Sequence, residues 1–232
     1  MSEMGYSKDV SVQVSSYELQ KGYVDNSSRF YTCTKRTIDI LVSIVGIILT
    51  LPIYLTLWTC YQFGKNKGPL IFKQKRVGKN GELFYIYKFR SMILDADKRL
   101  KANKVLYQKY VKNNYKLEPD EDPRITKLGG FLRKTSLDEL PQLINVLQGK
   151  MTLVGPRPVV EEELMEYGSK VNQFLSVKPG VTGYWQVSGR SSVGYPERVD
   201  LELYYVENKS LTFDLKILFK TVIMVLIKKG AY

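Results

Sequence analysis

Hydrophobic and polar positions divide the chain into segments of unlike pattern. Residues 1 to about 34 are polar and serine-containing, with scattered tyrosines and no sustained period. That pattern predicts a tail or loosely docked arm, and without an apolar core it is no signal peptide. Lys35 and Arg36 then open the run IDILVSIVGIILTLPIYLTLWTCYQFG, in which no charge occurs between Asp39 and Lys65. As a helix, the stretch from Ile40 to Gly64 would be ~37 Å long at about 1.5 Å per residue, enough to cross a ~30 Å hydrocarbon core. Membrane insertion is the expectation. Pro52, at the middle of the run, removes a backbone donor and predicts a bend. Arg29, Lys35 and Arg36 precede the run, and Lys65, Lys67, Lys73, Lys75 and Arg76 follow it. The positive-inside rule therefore draws both flanks to the cytoplasm. A helix broken at Pro52 that enters one leaflet and returns satisfies both flanks; a Pro-kinked span is the alternative.

Beyond the run, LFYIYKFR alternates Leu83, Tyr85, Tyr87 and Phe89 against Phe84, Ile86, Lys88 and Arg90, which reads as a strand with one wetter end. Lys98 to Tyr115 reads as a basic helix, and EPDEDPR as a turn-rich acidic loop. A helix is expected over Ser136 to Leu147, with Leu140, Leu143, Ile144 and Leu147 as its apolar stripe, and another over Val160 to Leu175. PGVTGYWQVSGR is turn-rich. The C-terminal FDLKILFKTVIMVLIKKGAY is apolar but interrupted by Lys216, Lys220, Lys228 and Lys229, so it is read as an interfacial or core-packed helix and not a span. The fold class expected is α+β, mainly helical. It divides into a polar tail (1–34), a membrane helix-break-helix (35–64) and a catalytic region (65–232).

Composition narrows the chemistry. The 232 residues contain no histidine and two cysteines, which excludes imidazole-based nucleophile systems, HExxH zinc sites and cysteine frameworks. Cys33 and Cys60 are read as structural thiols. With 35 Lys+Arg against 23 Asp+Glu, the net charge of +12 favours partners that carry phosphate. The candidate centre is TSLDELPQL. Its bland reading is a capping box, Ser136 with Glu139, in which Asp138 and Glu139 merely complement a helix start. The same geometry would also let an ionised Asp138 act as a nucleophile and Glu139 hold a hard cation. Lys88, Arg90, Arg124, Arg133, Lys134 and Arg157 supply cations around it, and Arg157 lies between Pro156 and Pro158, suited to bidentate phosphate contact.

From Lys35 to its C-terminus the chain resembles the bacterial sugar transferases of the monotopic polyprenyl-phosphate phosphoglycosyl transferase type. The motifs that carry this are KRTID at 35–39, Pro52, KFRSM at 88–92, DPRITKLGGFLRKTSLDELPQL at 122–143, LVGPRP at 153–158 and PGVTGYWQVSGR at 179–190. The resemblance implies transfer of a sugar 1-phosphate from a UDP-sugar to undecaprenyl phosphate, with release of UMP, at the start of glycan assembly. It implies Asp138 as nucleophile, giving a phosphosugar-enzyme intermediate, and Glu139 as the Mg²⁺ ligand. Lys88, Arg90, Arg133 and Arg157 would bind substrate phosphate, and Gln186 and Arg190 would lie in the nucleotide-sugar region. Lys35 and Arg36 would anchor at headgroups, and Asp39 and Pro52 would set topology in a re-entrant helix. The implied location is the bacterial inner membrane with the catalytic domain on the cytoplasmic face. Its partners are membrane lipids and the two substrates, and a homo-oligomer is compatible with all of this. WQVSGR and the ending KKGAY resemble relatives that transfer galactose or glucose 1-phosphate. The 34-residue tail stands where larger relatives carry further membrane helices and a soluble domain, as expected of a small-form member. Two rival classes are a catalytically inactive membrane scaffold and a basic membrane-tethered adaptor. No nucleic-acid partner is expected, since no recognition helix, finger or RRM-type glycine pattern occurs.

Overall fold

Ser28 caps the long helix α1 (Arg29–Cys60, 32 residues), its hydroxyl accepting the Tyr31 N–H at 3.1 Å. The structure, a computed structural model, describes residues 27–113, 117, 121–189 and 193–227, so most of the expected tail lies outside it. Because the cap sits at Ser28, the helix starts before Lys35 and takes in residues expected to belong to the tail. It also runs through Pro52 without interruption, where a helix-break-helix was expected. A proline costs one ladder bond, and packing on both sides of it offsets that loss. Gly46 lies so close to Leu143 that a Cβ would sit 2.9 Å from it, while Ile53, Tyr54 and Leu57 share a core with Phe89 and Leu132. α1 is long and apolar enough to cross a membrane. Its outer face leaves Leu41, Ile48, Leu49 and Leu55 between 58% and 72% exposed, an inversion of the usual amphipathic arrangement.

β1 (Ile71–Val77) and β2 (Leu83–Phe89) form an antiparallel hairpin in register Ile71↔Phe89 through Val77↔Leu83. β1 was not anticipated: its Lys73 and Lys75 are exposed, and its Arg76 finds partners far along the chain, the Pro158 carbonyl and Glu163. In β2 the alternation holds for buried Phe84 and Ile86 and then slips, leaving Phe89 and Arg90 both buried. The basic segment forms two short helices, α2 (Ala96–Ala102) and α3 (Lys104–Lys112), and not one. They part at Asn103, whose side chain caps α3 through the Leu106 N–H. α4 (Lys127–Lys134) is capped by Thr126 and packs tightly on Ser91 through Gly129.

The helix expected over Ser136 to Leu147 is a 3₁₀ turn (Leu137–Glu139) followed by α5 (Gln142–Leu147). β3 (Thr152–Val154) pairs in parallel with β4 (Gly180–Thr182). Between them lie a 3₁₀ segment (Glu161–Lys170), broken at Gly168, and the single-turn α6 (Val171–Phe174) in place of one continuous helix. Gly168 adopts φ +48°, which ends the regular geometry. α7 (Tyr184–Ser188), α8 (Glu197–Asn208) and α9 (Leu211–Leu226) complete the fold. α9 is core-packed on one side, through Asp214 and Ile217, and apolar and exposed on the other, at Leu215, Phe219 and Val222. Three core clusters result: one around Tyr167 and Leu203, one around Met151 and Tyr205, and one joining α1 to β2 and α4. Cys33 and Cys60 are exposed free thiols, a correction to the expectation of structural ones.

Candidate active site

The acidic pair sits where α4 ends and the chain reverses. Ser136 takes φ +56°, a left-handed conformation that costs a non-glycine residue about 1–2 kcal/mol. In this conformation its side chain caps nothing, so the predicted capping box is absent; the Glu139 N–H bonds to the Ser136 carbonyl instead, at 3.3 Å. The strained residue turns Asp138 into the protein, 7% exposed, and Glu139 towards a cluster of cations.

Lys88, at the end of β2, places Nζ 2.8 Å from Glu139 Oε1. The Arg157 guanidinium reaches the same oxygen at 3.9 Å. Arg133, in the last turn of α4, acts on Asp138 electrostatically. Burial pushes the Asp138 carboxyl above its ordinary range and the neighbouring Glu139 adds to this, while Lys88, Arg133 and Arg157 oppose it. Five of the residues selected from sequence thus converge from β2, α4, the 3₁₀ turn and the loop after β3. Three fixed cations around two carboxylates leave a local surplus of positive charge, which suits a diphosphate.

The other selected residues are placed differently. Arg90 donates to the carbonyls of Asn66, Pro69 and Met92 and stacks over Tyr61, so its guanidinium is spent on clamping the loop after α1. Gln186 in α7 is 6% exposed, and neither its amide nitrogen nor its oxygen has a hydrogen-bond partner among the described residues. Arg190 lies outside the described residues. Lys35 and Arg36 point inward and not to headgroups. Lys35 Nζ binds Asp214 at 2.6 Å and the Val154 carbonyl at 2.9 Å; Arg36 caps the end of α5 through the Val146 and Leu147 carbonyls at 2.6 and 2.9 Å. Asp39 is buried and accepts from Thr152 Oγ1 at 2.7 Å and the Leu153 N–H at 2.9 Å.

Sequence reading missed a buried polar network beside Arg157, made of Arg76, Glu163, Trp185, Tyr195, Arg198 and Glu202. The signal was present in α8, where Arg198 and Glu202 stand four apart on the face that also carries Val199, Leu203 and Val206. A charged pair inside an apolar stripe marks a buried ion pair.

Among the described residues, no third Asp, Glu, Cys or His joins the acidic pair to make a protein-only cation cage. Mg²⁺ needs no such cage: it takes one or two carboxylates and completes its octahedron with phosphate and water oxygens. Asp138 and Glu139 fit that requirement.

The sequence profile of the bacterial sugar transferases matches residues 30–228. An undecaprenyl-phosphate galactose phosphotransferase of Salmonella typhimurium is 48% identical over 217 residues, covering 92% of this chain and 44% of that protein. The exopolysaccharide production protein ExoY of Sinorhizobium fredii is 42% identical over 203 residues, covering 86% of this chain and 88% of that protein. A UDP-glucose:undecaprenyl-phosphate glucose-1-phosphate transferase of Klebsiella pneumoniae is 40% identical over 208 residues, covering 85% of this chain and 41% of that protein. The chain spans less than half the length of the Salmonella and Klebsiella relatives.

Proposed function

The chain belongs to the bacterial sugar transferase family, and from that premise we propose that it moves a hexose 1-phosphate, galactose or glucose, from a UDP-sugar to undecaprenyl phosphate in glycan assembly. The observation that carries this reading is the convergence of Lys88, Arg133 and Arg157 on the Asp138–Glu139 pair. An Asp138 carboxylate oxygen attacks the sugar-bearing phosphorus, the bond from that phosphorus to the bridging oxygen breaks, and UMP leaves with the electron pair. An oxygen of the lipid phosphate then attacks the same phosphorus and returns Asp138 as a free carboxylate. Phosphoryl transfer demands in-line placement and charge neutralisation more than acid–base groups, so a protein without histidine suffices. Arg157 and Lys88 orient and neutralise the diphosphate, and Glu139 would hold Mg²⁺. The ion supplies neutralisation of charge on the phosphate oxygens.

For the membrane, we place both flanks of α1 on the cytoplasmic face. Support comes from docking at its two ends: Lys35, Arg36 and Asp39 grip β3, α5 and α9, while Leu57 and Tyr61 pack on Phe89 and Leu132 of the same body. At 32 residues the helix is ~48 Å long at about 1.5 Å per residue, and a perpendicular span would carry one of those ends to the far side.

The deciding experiment is Asp138→Asn, assayed with UDP-galactose or UDP-glucose, Mg²⁺ and undecaprenyl phosphate. UMP release should fall to background while the variant melts no lower than the parent, since the amide relieves a buried charge. Release at the parental rate would remove Asp138 as nucleophile, and inactivity of the parent with both sugars would remove the hexose assignment.

A further inference from the structure

Arg157 is held from two directions. Its guanidinium reaches Glu139 at 3.9 Å, whereas its backbone N–H donates to Glu202 Oε1 at 3.2 Å. Glu202 is 1% exposed and comes from the middle of α8. The same carboxylate accepts from Arg198 Nε at 3.3 Å and, on its other oxygen, from the Tyr167 hydroxyl. Arg198 is itself tied to Glu163 Oε2 at 3.0 Å, and the Trp185 ring lies 4.5 Å from its guanidinium and 6.0 Å from that of Arg157. One indole therefore neighbours both cations, and one carboxylate links the backbone of the first to the side chain of the second.

This network is more elaborate than stability requires. Burying an ion pair is often no more stabilising than an apolar pair of the same volume, so a buried Arg–Glu pair calls for a reason beyond the fold. The segment around Arg157 is already pinned by other bonds: the Gly180 N–H donates to the Pro156 carbonyl at 2.8 Å, and Arg76 donates to the Pro158 carbonyl at 3.3 Å. Within it, the contact to Glu202 fixes the peptide plane from which the Arg157 side chain departs. That side chain remains 33% exposed and would otherwise have freedom to wander. Displacement of about 1 Å at a phosphate-orienting group costs on the order of 100-fold in rate.

We propose that Glu202, with Arg198 and Trp185 behind it, is a positioning residue that fixes the Arg157 guanidinium at the reacting diphosphate. The inference rests on the transfer reaction proposed above. Glu202 touches no substrate; it acts through Arg157 alone. Its effect should therefore vanish once Arg157 is gone, which a general structural role would not predict.

The test is a double-mutant cycle read by initial rates of UMP release from radiolabelled UDP-sugar, with melting temperatures alongside. Glu202→Leu should lower the rate by about 10-fold or more when Arg157 is present and by less than about 2-fold in an Arg157→Ala background. Glu202→Gln keeps an acceptor for the Arg157 N–H, loses the charge facing Arg198 and turns an NH₂ to the Tyr167 hydroxyl, which must then accept instead of donate. It should recover part of the rate, leaving a loss of about 3-fold that again disappears without Arg157. Should Glu202→Leu fail to fold, the Gln variant in the two backgrounds decides. Equal losses with and without Arg157, or a full rate for Glu202→Gln and Glu202→Leu alike, would overturn the inference and leave the reaction standing. Absence of UMP release from the parent would overturn the reaction and this inference with it.

Discussion

Asp39→Ala tests whether the membrane helix is docked to the catalytic body or merely adjacent to it. The Asp39 carboxylate is the acceptor for two buried donors of β3, Thr152 Oγ1 at 2.7 Å and the Leu153 N–H at 2.9 Å. Thr152 and Leu153 are 3% and 6% exposed, so water cannot replace the lost acceptor without opening the junction. Each orphaned buried donor costs about 1–3 kcal/mol, which gives ~2–5 kcal/mol in total once the rotatable hydroxyl is allowed to find some compensation. For a domain of this size that corresponds to a fall in melting temperature of about 4–20 °C. The assay is thermal unfolding in detergent micelles followed by circular dichroism, with two controls. Asp39→Asn keeps an acceptor for the Leu153 N–H and should lose about half as much or less. Leu49→Ala, on the outward face, should shift the transition by no more than ~0.5 kcal/mol. Asp39→Ala melting within that same margin of the parent would refute the docked junction and remove the main support for placing both flanks of α1 on one face.

Two further outcomes are expected. A Cβ at Gly129 would lie 1.8 Å from the Ser91 carbonyl oxygen and 2.5 Å from its carbon, so Gly129→Ala must push α4 away from β2's exit. It should cost about 1–3 kcal/mol in urea melts, and because α4 leads into the Asp138 turn it should also slow UMP release by about 10-fold; parental values for both would show that the gap is wider than this geometry. Asp122 chelates Arg124 Nε and one terminal nitrogen at 2.8 and 2.7 Å; burial pushes its carboxyl up, but the hydrogen bonds from Arg124 outweigh this and hold it below its ordinary value. A depressed carboxylate stabilises the fold above its unfolded pKa of about 3.9, and that stability is lost as pH falls through the native value. Asp122→Asn should thus cost about 3 kcal/mol at pH 7 and progressively less in acid, and a gap independent of pH would contradict the pairing.

How far the sequence spoke for this structure depended on the range of the interaction. The apolar run and the first half of the β2 alternation are local patterns and stand as helix and strand, whereas the Asp138–Glu139 pair sits in a 3₁₀ turn and not in the expected capping box. Lys88, Arg133 and Arg157 were singled out from sequence as cations around the acidic pair, and the fold brings all three to it. Arg90 carries the same chemistry and lies in the same motif as Lys88, yet two carbonyls of the loop after α1, Asn66 and Pro69, and that of Met92 claim it. Nothing local distinguishes the two, because strand alternation slips between them only when Phe89 is drawn into the core with Leu57, Tyr61 and Leu132. Lys35 and Arg36 misled for a similar reason: a basic pair before an apolar run reads as a headgroup anchor until the partners are known. Those partners, Asp214 and the end of α5, lie more than a hundred residues away.

The inward turn of those residues changes what α1 would do for the proposed reaction. In the transfer proposed above, an acceptor phosphate on a polyprenyl chain would be confined to the headgroup plane, so Asp138 as the proposed nucleophile would have to be held at that plane rather than delivered to it. Leu137 and Leu140, which bracket Asp138 and Glu139, pack in the same cluster as Leu57 and Tyr61 at the end of α1. The turn that carries both carboxylates therefore shares one core cluster with the end of the helix. A helix attached only by a flexible linker would leave the depth of Asp138 to chance, and the docked ends of α1 remove that freedom. The strain at Ser136 belongs to the same turn, since the left-handed residue leads into Leu137, which packs against the core shared by α1, β2 and α4, and leaves Glu139 facing Lys88 and Arg157.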